Sequence, residues 1–144
     1  MPRLRITESI LRDGQESLVD ARMTTAEMVP VLPILDKIGY YSLDVWGGSV
    51  FDVCLHNLKE DPWQRLRIIR ANIRTTKLEM LIGGQFLFGY RPYPDDVVQY
   101  FIQRAIDDGI DIVRVYDPLN DSRNLETAIR AAKREKAHVK GTIC

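Results

Sequence analysis

At 144 residues the chain suits a single domain, residues 1–144, that can bury a real core. Hydrophobic residues make up 45% and charged residues 28%, a folded soluble class, and 20 Lys and Arg against 20 Asp and Glu leave no net pull toward nucleic acid or anionic lipid. No apolar run approaches the ~20 residues of a membrane span, MPRLRITES carries no signal-type apolar region, and two cysteines, Cys54 and Cys144, without CxxC fit a reduced cytoplasmic setting.

The first strand is expected over Arg3 to Glu8. Thr24 and Glu27 then form a T-x-x-E capping box, in which each residue satisfies an orphan N–H at a helix start. Met28, Val31, Leu35 and Ile38 follow at helical spacing, and Gly39 ends the run. Pro30 and Pro33 each remove a backbone donor, so this helix should bend or stay short. Tyr40 to Trp46 is a compact apolar run, read as the second strand. Asp61 caps and Pro62 opens the next helix, whose apolar face is Trp63, Leu66, Ile69 and Ile73. Lys77 to Ile82 is the third strand, stopped by Gly83-Gly84. Pro94-Asp95-Asp96 opens a helix with the stripe Val97, Val98, Phe101, Ile102, Ala105 and Ile106, closed by Gly109. Ile110 to Tyr116 is the fourth strand. Asp121 or Ser122 caps the last helix, with Leu125, Ala128, Ile129 and Ala132 facing in. His138 to Ile143 is a fifth strand.

Strands alternating with helices imply parallel pairing through right-handed crossovers. Two architectures fit: an open doubly wound sheet, or part of a (β/α)8 barrel. The first βα turn has neither G-x-G-x-x-G nor a P-loop lysine, which removes the usual nucleotide reason for the open sheet. A full barrel needs about 200 residues or more. This chain supplies four βα units and a fifth strand.

In either architecture ligands sit at the carboxyl ends of the strands. Polar and glycine residues gather there. Arg12, Asp13, Gln15 and Glu16 follow the first strand; Asp44 and Gly47-Gly48 close the second. Gly83, Gly84, Gln85, Tyr90 and Arg91 follow the third, and Arg114, Asp117, Asn120 and Asp121 the fourth. The strand interiors read as largely apolar. Asp13 could offer a hard oxygen to a divalent cation, but one carboxylate does not make a site. Arg12, Gln15, Glu16 and Arg114 could orient a small acid. Blander readings stand beside these: Asp13-Gly14 as a turn, Asp44 as a buried acid paired with Arg12 or Arg114, Asp121 as a cap, and His56 and His138 as structural. From the residues alone the chain is a parallel α/β rim suited to a small anionic substrate.

The stretches ITESILRDGQESLVDARM, GYYSLDVWGGSVFDVCL, LKEDPWQRLR, FGYRPYPDDVV and DIVRVYDPLNDSRNL, in that order and with HVKGTIC closing, cover nearly the whole chain. They resemble the carboxyltransferase domain shared by the oxaloacetate decarboxylase α subunit, pyruvate carboxylase and the transcarboxylase large catalytic subunit. The resemblance implies a TIM-type (β/α)8 barrel of which this chain is the N-terminal half. It implies carboxyl transfer to or from pyruvate or oxaloacetate, with biotin on a carrier domain and a divalent metal (Zn, Mn or Co) as cofactors. Asp13 falls on the family's metal-binding aspartate. A carbamylated lysine and a His-x-His pair complete that site in the family's second half. By the same resemblance Arg12, Glu16 and Tyr90 take catalytic positions, and Gln15, Gly83, Gln85 and Arg114 substrate-binding ones. The sequence departs from the pattern where Glu16 replaces a Gln, Gly83 an Arg, Phe86 an Asn and Asp44 a Glu. A half-barrel exposes two strand edges, which implies a homo-oligomer or a complementing half as partner.

Overall fold

The computed structural model describes residues 4–144. Five parallel strands form one sheet in the order β1-β2-β3-β4-β5, where β1 is Thr7–Glu8, β2 Ser42–Gly47, β3 Lys77–Ile82, β4 Ile112–Val115 and β5 His138–Gly141. Sequential order decides between the two architectures. A doubly wound sheet reverses direction part-way, sending helices to both faces. Here successive strands are neighbours throughout, so right-handed crossovers advance the same way and carry the connecting helices to one face, while the other turns inward, as in a barrel.

The first strand is much shorter than expected, and Arg3 lies outside the described residues. Between β1 and β2 the chain makes a widened turn at Ile10–Gly14, then α1 (Gln15–Val19), which carries no apolar stripe and had no sequence signal. The capping box of Thr24 and Glu27 is present in both directions at the start of α2 (Thr25–Met28). The two prolines act as expected. Residues Val29–Val31 tighten to a 3-10 turn before α3 (Leu32–Ile38), so the helix is broken rather than straight. Gly39 ends it with φ of 88°.

After β2 come α4 (Gly48–Val53) and a widened turn at Cys54–Leu58. Asp61 caps α5 (Pro62–Asn72) by accepting from the Trp63 N–H. Then follow α6 (Asp95–Asp107) and α7 (Glu126–Arg134), the latter preceded by a 3-10 turn whose cap is Asp121. Among the described residues no helix is long and apolar enough to cross a membrane.

The core lies between the sheet and its helices. The strand register shifts between Asp44 and Trp46, a bulge that puts Trp46 opposite Met80 on the outer face. Trp46 is fully buried there among Phe51, Trp63 and Phe101, with ring centroids 5.0–5.6 Å from its own. Leu43, Leu78, Met80, Val113 and Val115 complete this apolar layer.

Candidate active site

The inner face of the sheet corrects one expectation. It is polar, and the polar groups are not confined to the rim. Thr7 Oγ1 and the Ser42 hydroxyl lie 2.7 Å apart, and Ser42 donates to Glu79 Oε2 at 2.9 Å. Lys140 Nζ donates to the same oxygen at 2.6 Å. Asp44 Oδ2 accepts from Arg12 Nε at 2.7 Å and from Arg114 Nη2 at 2.6 Å. Arg114 Nε lies 3.5 Å from Glu79 Oε1. One inward position on each of β2, β3, β4 and β5 thus carries a charge, and the pairs form a chain Asp44–Arg114–Glu79–Lys140 across the face. Sequence reading missed Glu79 and Lys140. The signal was the period-2 alternation in KLEMLI and HVKG, which sends Glu79 and Lys140 to the face opposite Leu78, Met80 and Val139.

Asp44 and Glu79 are both wholly buried. Burial pushes the Asp44 carboxyl up to about 6, opposed by the charges and hydrogen bonds of Arg12 and Arg114. At neutral pH it is therefore ionised and clamps both arginines. Both of the partners weighed from sequence for Asp44 are used at once.

Arg12 carries this network out to the rim. Its Nη1 lies 3.4 Å from Asp13 Oδ1 and 3.4 Å from Glu16 Oε2. Glu16 Oε2 also accepts from the Ser49 hydroxyl at 3.0 Å. Arg12, Glu16, Ser49 and Gly83 line a cavity of about 120 Å³ together with Gly48, Leu81, Leu87 and Tyr116, at the carboxyl ends of β1 to β4. Gly47 and Gly48 hold its floor together. A side chain at Gly47 would collide with the Leu81 carbonyl, and one at Gly48 would meet the Leu87 carbonyl at 2.8 Å. They serve close backbone approach, not only a tight turn.

The remaining predicted site residues stand elsewhere. Gln15 is buried and commits both ends of its amide to the loop: Nε2 donates to the Leu11 carbonyl and Oε1 accepts from the Met23 N–H. Gln85 Nε2 donates to the Tyr93 carbonyl and to Asp95, which fastens the loop after β3. Neither amide reaches the cavity, because each satisfies buried or loop backbone groups that have no other partner. Tyr90 is 98% exposed and lines a separate groove with Asp52 and His56, whose Nδ1 sits 3.0 Å from Asp52 Oδ1. Arg114 acts on the cavity only through Asp44. Asp117 accepts from the Leu119 and Asp121 N–H groups and from Asn124, so it shapes its own loop. Ser49 and Tyr116 were not named as site residues, although both lie in the quoted stretches; only the folded loops bring them into the same cavity as Glu16.

Asp13 is largely exposed, and its near neighbour is a guanidinium. Among the described residues no three His, Cys, Asp or Glu side chains gather in a way that could hold a metal ion. One carboxylate and an adjacent cation do not fit a divalent metal by themselves.

Relatives share the sequence and the fold. No protein-family model matches the chain. It is 50% identical over 141 residues, 98% of its length, to a pyruvate carboxylase subunit of Methanocaldococcus jannaschii, and covers 25% of that protein. It is 44% identical over 139 residues to the methylmalonyl-CoA carboxyltransferase 5S subunit of Propionibacterium freudenreichii subsp. shermanii, covering 96% of this chain and 28% of that one. Its fold superposes with a TM-score of 0.94 and 38% identity on the carboxyl transferase domain of Rhizobium etli pyruvate carboxylase solved with pyruvate and biocytin, covering 99% of this chain and 24% of that one. The chain belongs to the carboxyltransferase-domain family. It spans about a quarter of the length of the curated relatives it matches. The half-turned sheet is thus a segment of the TIM-type barrel that the motifs implied.

Proposed function

We propose that the chain builds the keto-acid end of a carboxyltransferase site, where a carboxyl group passes between a small 2-oxo acid, pyruvate or oxaloacetate, and biotin on a carrier domain. The observation that carries this reading is the cavity of about 120 Å³ at the strand ends, edged by the Arg12 guanidinium, in a fold that a relative uses to hold pyruvate and biocytin. A guanidinium is the natural anchor for a planar carboxylate. Asp44 fixes Arg12 through Nε, and Asp13 and Glu16 flank Nη1, which leaves Nη2 to orient the acid. Leu81 and Leu87 keep one wall apolar and limit water. Tyr90, exposed beside Asp52 and His56, stands free to meet a ligand arriving from the carrier side. Gln15 and Gln85 hold the loops that carry Arg12 and Tyr90. A divalent metal would supply polarisation of the keto oxygen. In this reading Asp13 contributes one of its ligands, and the rest come from outside this chain. A cytoplasmic setting goes with the two free cysteines, Cys54 buried and Cys144 exposed.

Oxaloacetate decarboxylation by the protein that carries this chain, assayed with Mn²⁺ and with Zn²⁺, tests the reading. Asp13→Ala should lower the rate on the order of 10²-fold or more. Metal-independent turnover, or an undiminished rate in the variant, would sink the assignment.

A second reading has its own observation. β1 and β5 are the outer strands of an open sheet, each paired on one side only, and Ile6 and Ile10 beside β1 are exposed. A second copy or a complementing half would pair there. The mass in gel filtration separates the two: a complementing half leaves this chain alone monomeric, and self-association doubles it.

A further inference from the structure

We propose that the amino end of the inner face is an interface for a carboxylate-bearing polypeptide segment from outside this chain, whose Asp or Glu side chains pair with Arg5 and Lys77. It rests on the second reading above, that the open sheet is covered, and it selects an acidic complement over a second copy.

The charges of the inner face do not balance. Asp44 takes Arg12 and Arg114, and Glu79 takes Arg114 and Lys140, so those five groups use one another. Arg5 and Lys77 remain. Strand alternation sends Lys77 to the same side as Glu79, and Arg5 to the same side as Thr7. Both reach the Tyr41 ring. Arg5 Cζ lies 4.9 Å, Lys77 Nζ 5.0 Å and Lys140 Nζ 5.6 Å from its centre. Three cations from three separate segments thus surround one aromatic ring. Lys140 has Glu79 as its acid, whereas Arg5 and Lys77 make no ion pair among the described residues.

Beside these cations the surface is apolar. Leu4, Ile6 and Ile38 are exposed and, with Arg5, Tyr41 and Lys77, line an open recess of about 730 Å³. It lies at the amino ends of β1 to β3, the end away from the small cavity described above. While the recess is open, water solvates both cations. A surface that covers the exposed apolar side chains removes that water, and a desolvated cation is strongly unfavourable unless an opposite charge meets it. The Tyr41 ring attracts each cation but carries no charge to neutralise it. The covering surface therefore combines apolar side chains with carboxylates. A second copy does not fit that description. It brings Arg5, Lys77 and Lys140 again, so cations would meet cations, while its Asp44 and Glu79 are wholly buried and already paired.

The test compares Lys77→Met and Lys77→Glu in the protein that carries this chain. One readout is the melting temperature. The other is the rate at which an activated ester acylates Lys77 of the wild type, native against urea-unfolded. With a carboxylate opposite, Lys77→Met strands that acid and lowers the melting temperature by about 5 °C. Lys77→Glu sets two acids together and lowers it further or prevents folding. The native Lys77 amine is then acylated more slowly than in urea. Without a carboxylate the sign reverses, because Lys77→Glu places an acid beside Arg5 and Lys140 and raises the melting temperature. That rise, or an undiminished melting temperature in Lys77→Met, overturns the proposal. If Lys77 is nevertheless protected in the native protein, the face is covered by other chemistry and the second reading stands. If it is acylated as fast as in urea, the face is open and both fall.

Discussion

The two faces of one sheet are held together by different physics. The outer face buries Trp46, Leu43, Met80 and Val113 under helices, where contact area sets the stability and almost any well-shaped apolar set would serve. The inner face buries Asp44 and Glu79 against Arg12, Arg114 and Lys140. There each charge stands only because its partner does, and removing one member leaves the other buried and uncompensated. The outer face therefore supplies stability. The inner face supplies orientation, since the clamp on Arg12 reaches directly into the cavity.

Trp46→Ala should be the most damaging change, because it opens a large hole beside the rings of Phe51, Trp63 and Phe101. A loss of about 4 kcal/mol is expected, read as a lowered midpoint with unchanged slope in urea unfolding. Asp44→Ala should cost slightly less, about 3 kcal/mol, yet it alone should also weaken ligand binding at the cavity. If Trp46→Ala impaired binding as much at equal folded fraction, the division between the faces would fail.

Proton linkage separates two buried or bound carboxylates by sign. Asp44 has its folded value raised to about 6, chiefly by burial. The folded state then holds the proton more tightly than the unfolded chain. Asp44 contributes most below the ordinary carboxylate range and loses that contribution as pH rises to about 6. Wild type compared with Asp44→Asn should thus gain stability between about pH 6 and pH 4. Asp36 runs the other way. Burial raises it, but hydrogen bonds from the Arg74 and Thr76 N–H groups and the Thr75 and Thr76 hydroxyls outweigh that and hold it well below its usual range. Its contribution is complete above the ordinary carboxylate value and is lost on acidification. The advantage of wild type over Asp36→Asn should shrink below about pH 4. Parallel curves for the two variants would contradict the assignment. The smallest effect belongs to the helix start away from both faces: Thr24→Ala should cost about 1 kcal/mol, seen in thermal melting, with ligand binding untouched.

The legible parts were those where one residue type forces one local outcome. Pro30 and Pro33 broke the first helix, Thr24 with Glu27 capped it, Asp61 with Pro62 opened α5, and Lys77–Ile82 formed a strand to the residue. The first strand failed because its residues, Leu4 and Ile6 among them, sit at an exposed edge where hydrophobic pattern does not guarantee a ladder partner. At the site, Arg12, Glu16 and Gly83 line one cavity. Gln15 and Gln85 lie outside it and satisfy loop groups, since a polar side chain in a loop serves backbone satisfaction as readily as a ligand.

What the sequence determined by itself was the alternation of strand and helix, the caps and breaks, and the cluster of polar residues after each strand, because these follow from spacing and backbone chemistry within a few residues. Tertiary structure alone decided the strand order, the bulge that turns Trp46 outward, the single Asp44 oxygen shared by Arg12 and Arg114, and the meeting of Glu16 with Ser49 and Tyr116. Those depend on which distant segments come to lie side by side, and a buried charge or a cavity exists only once they do.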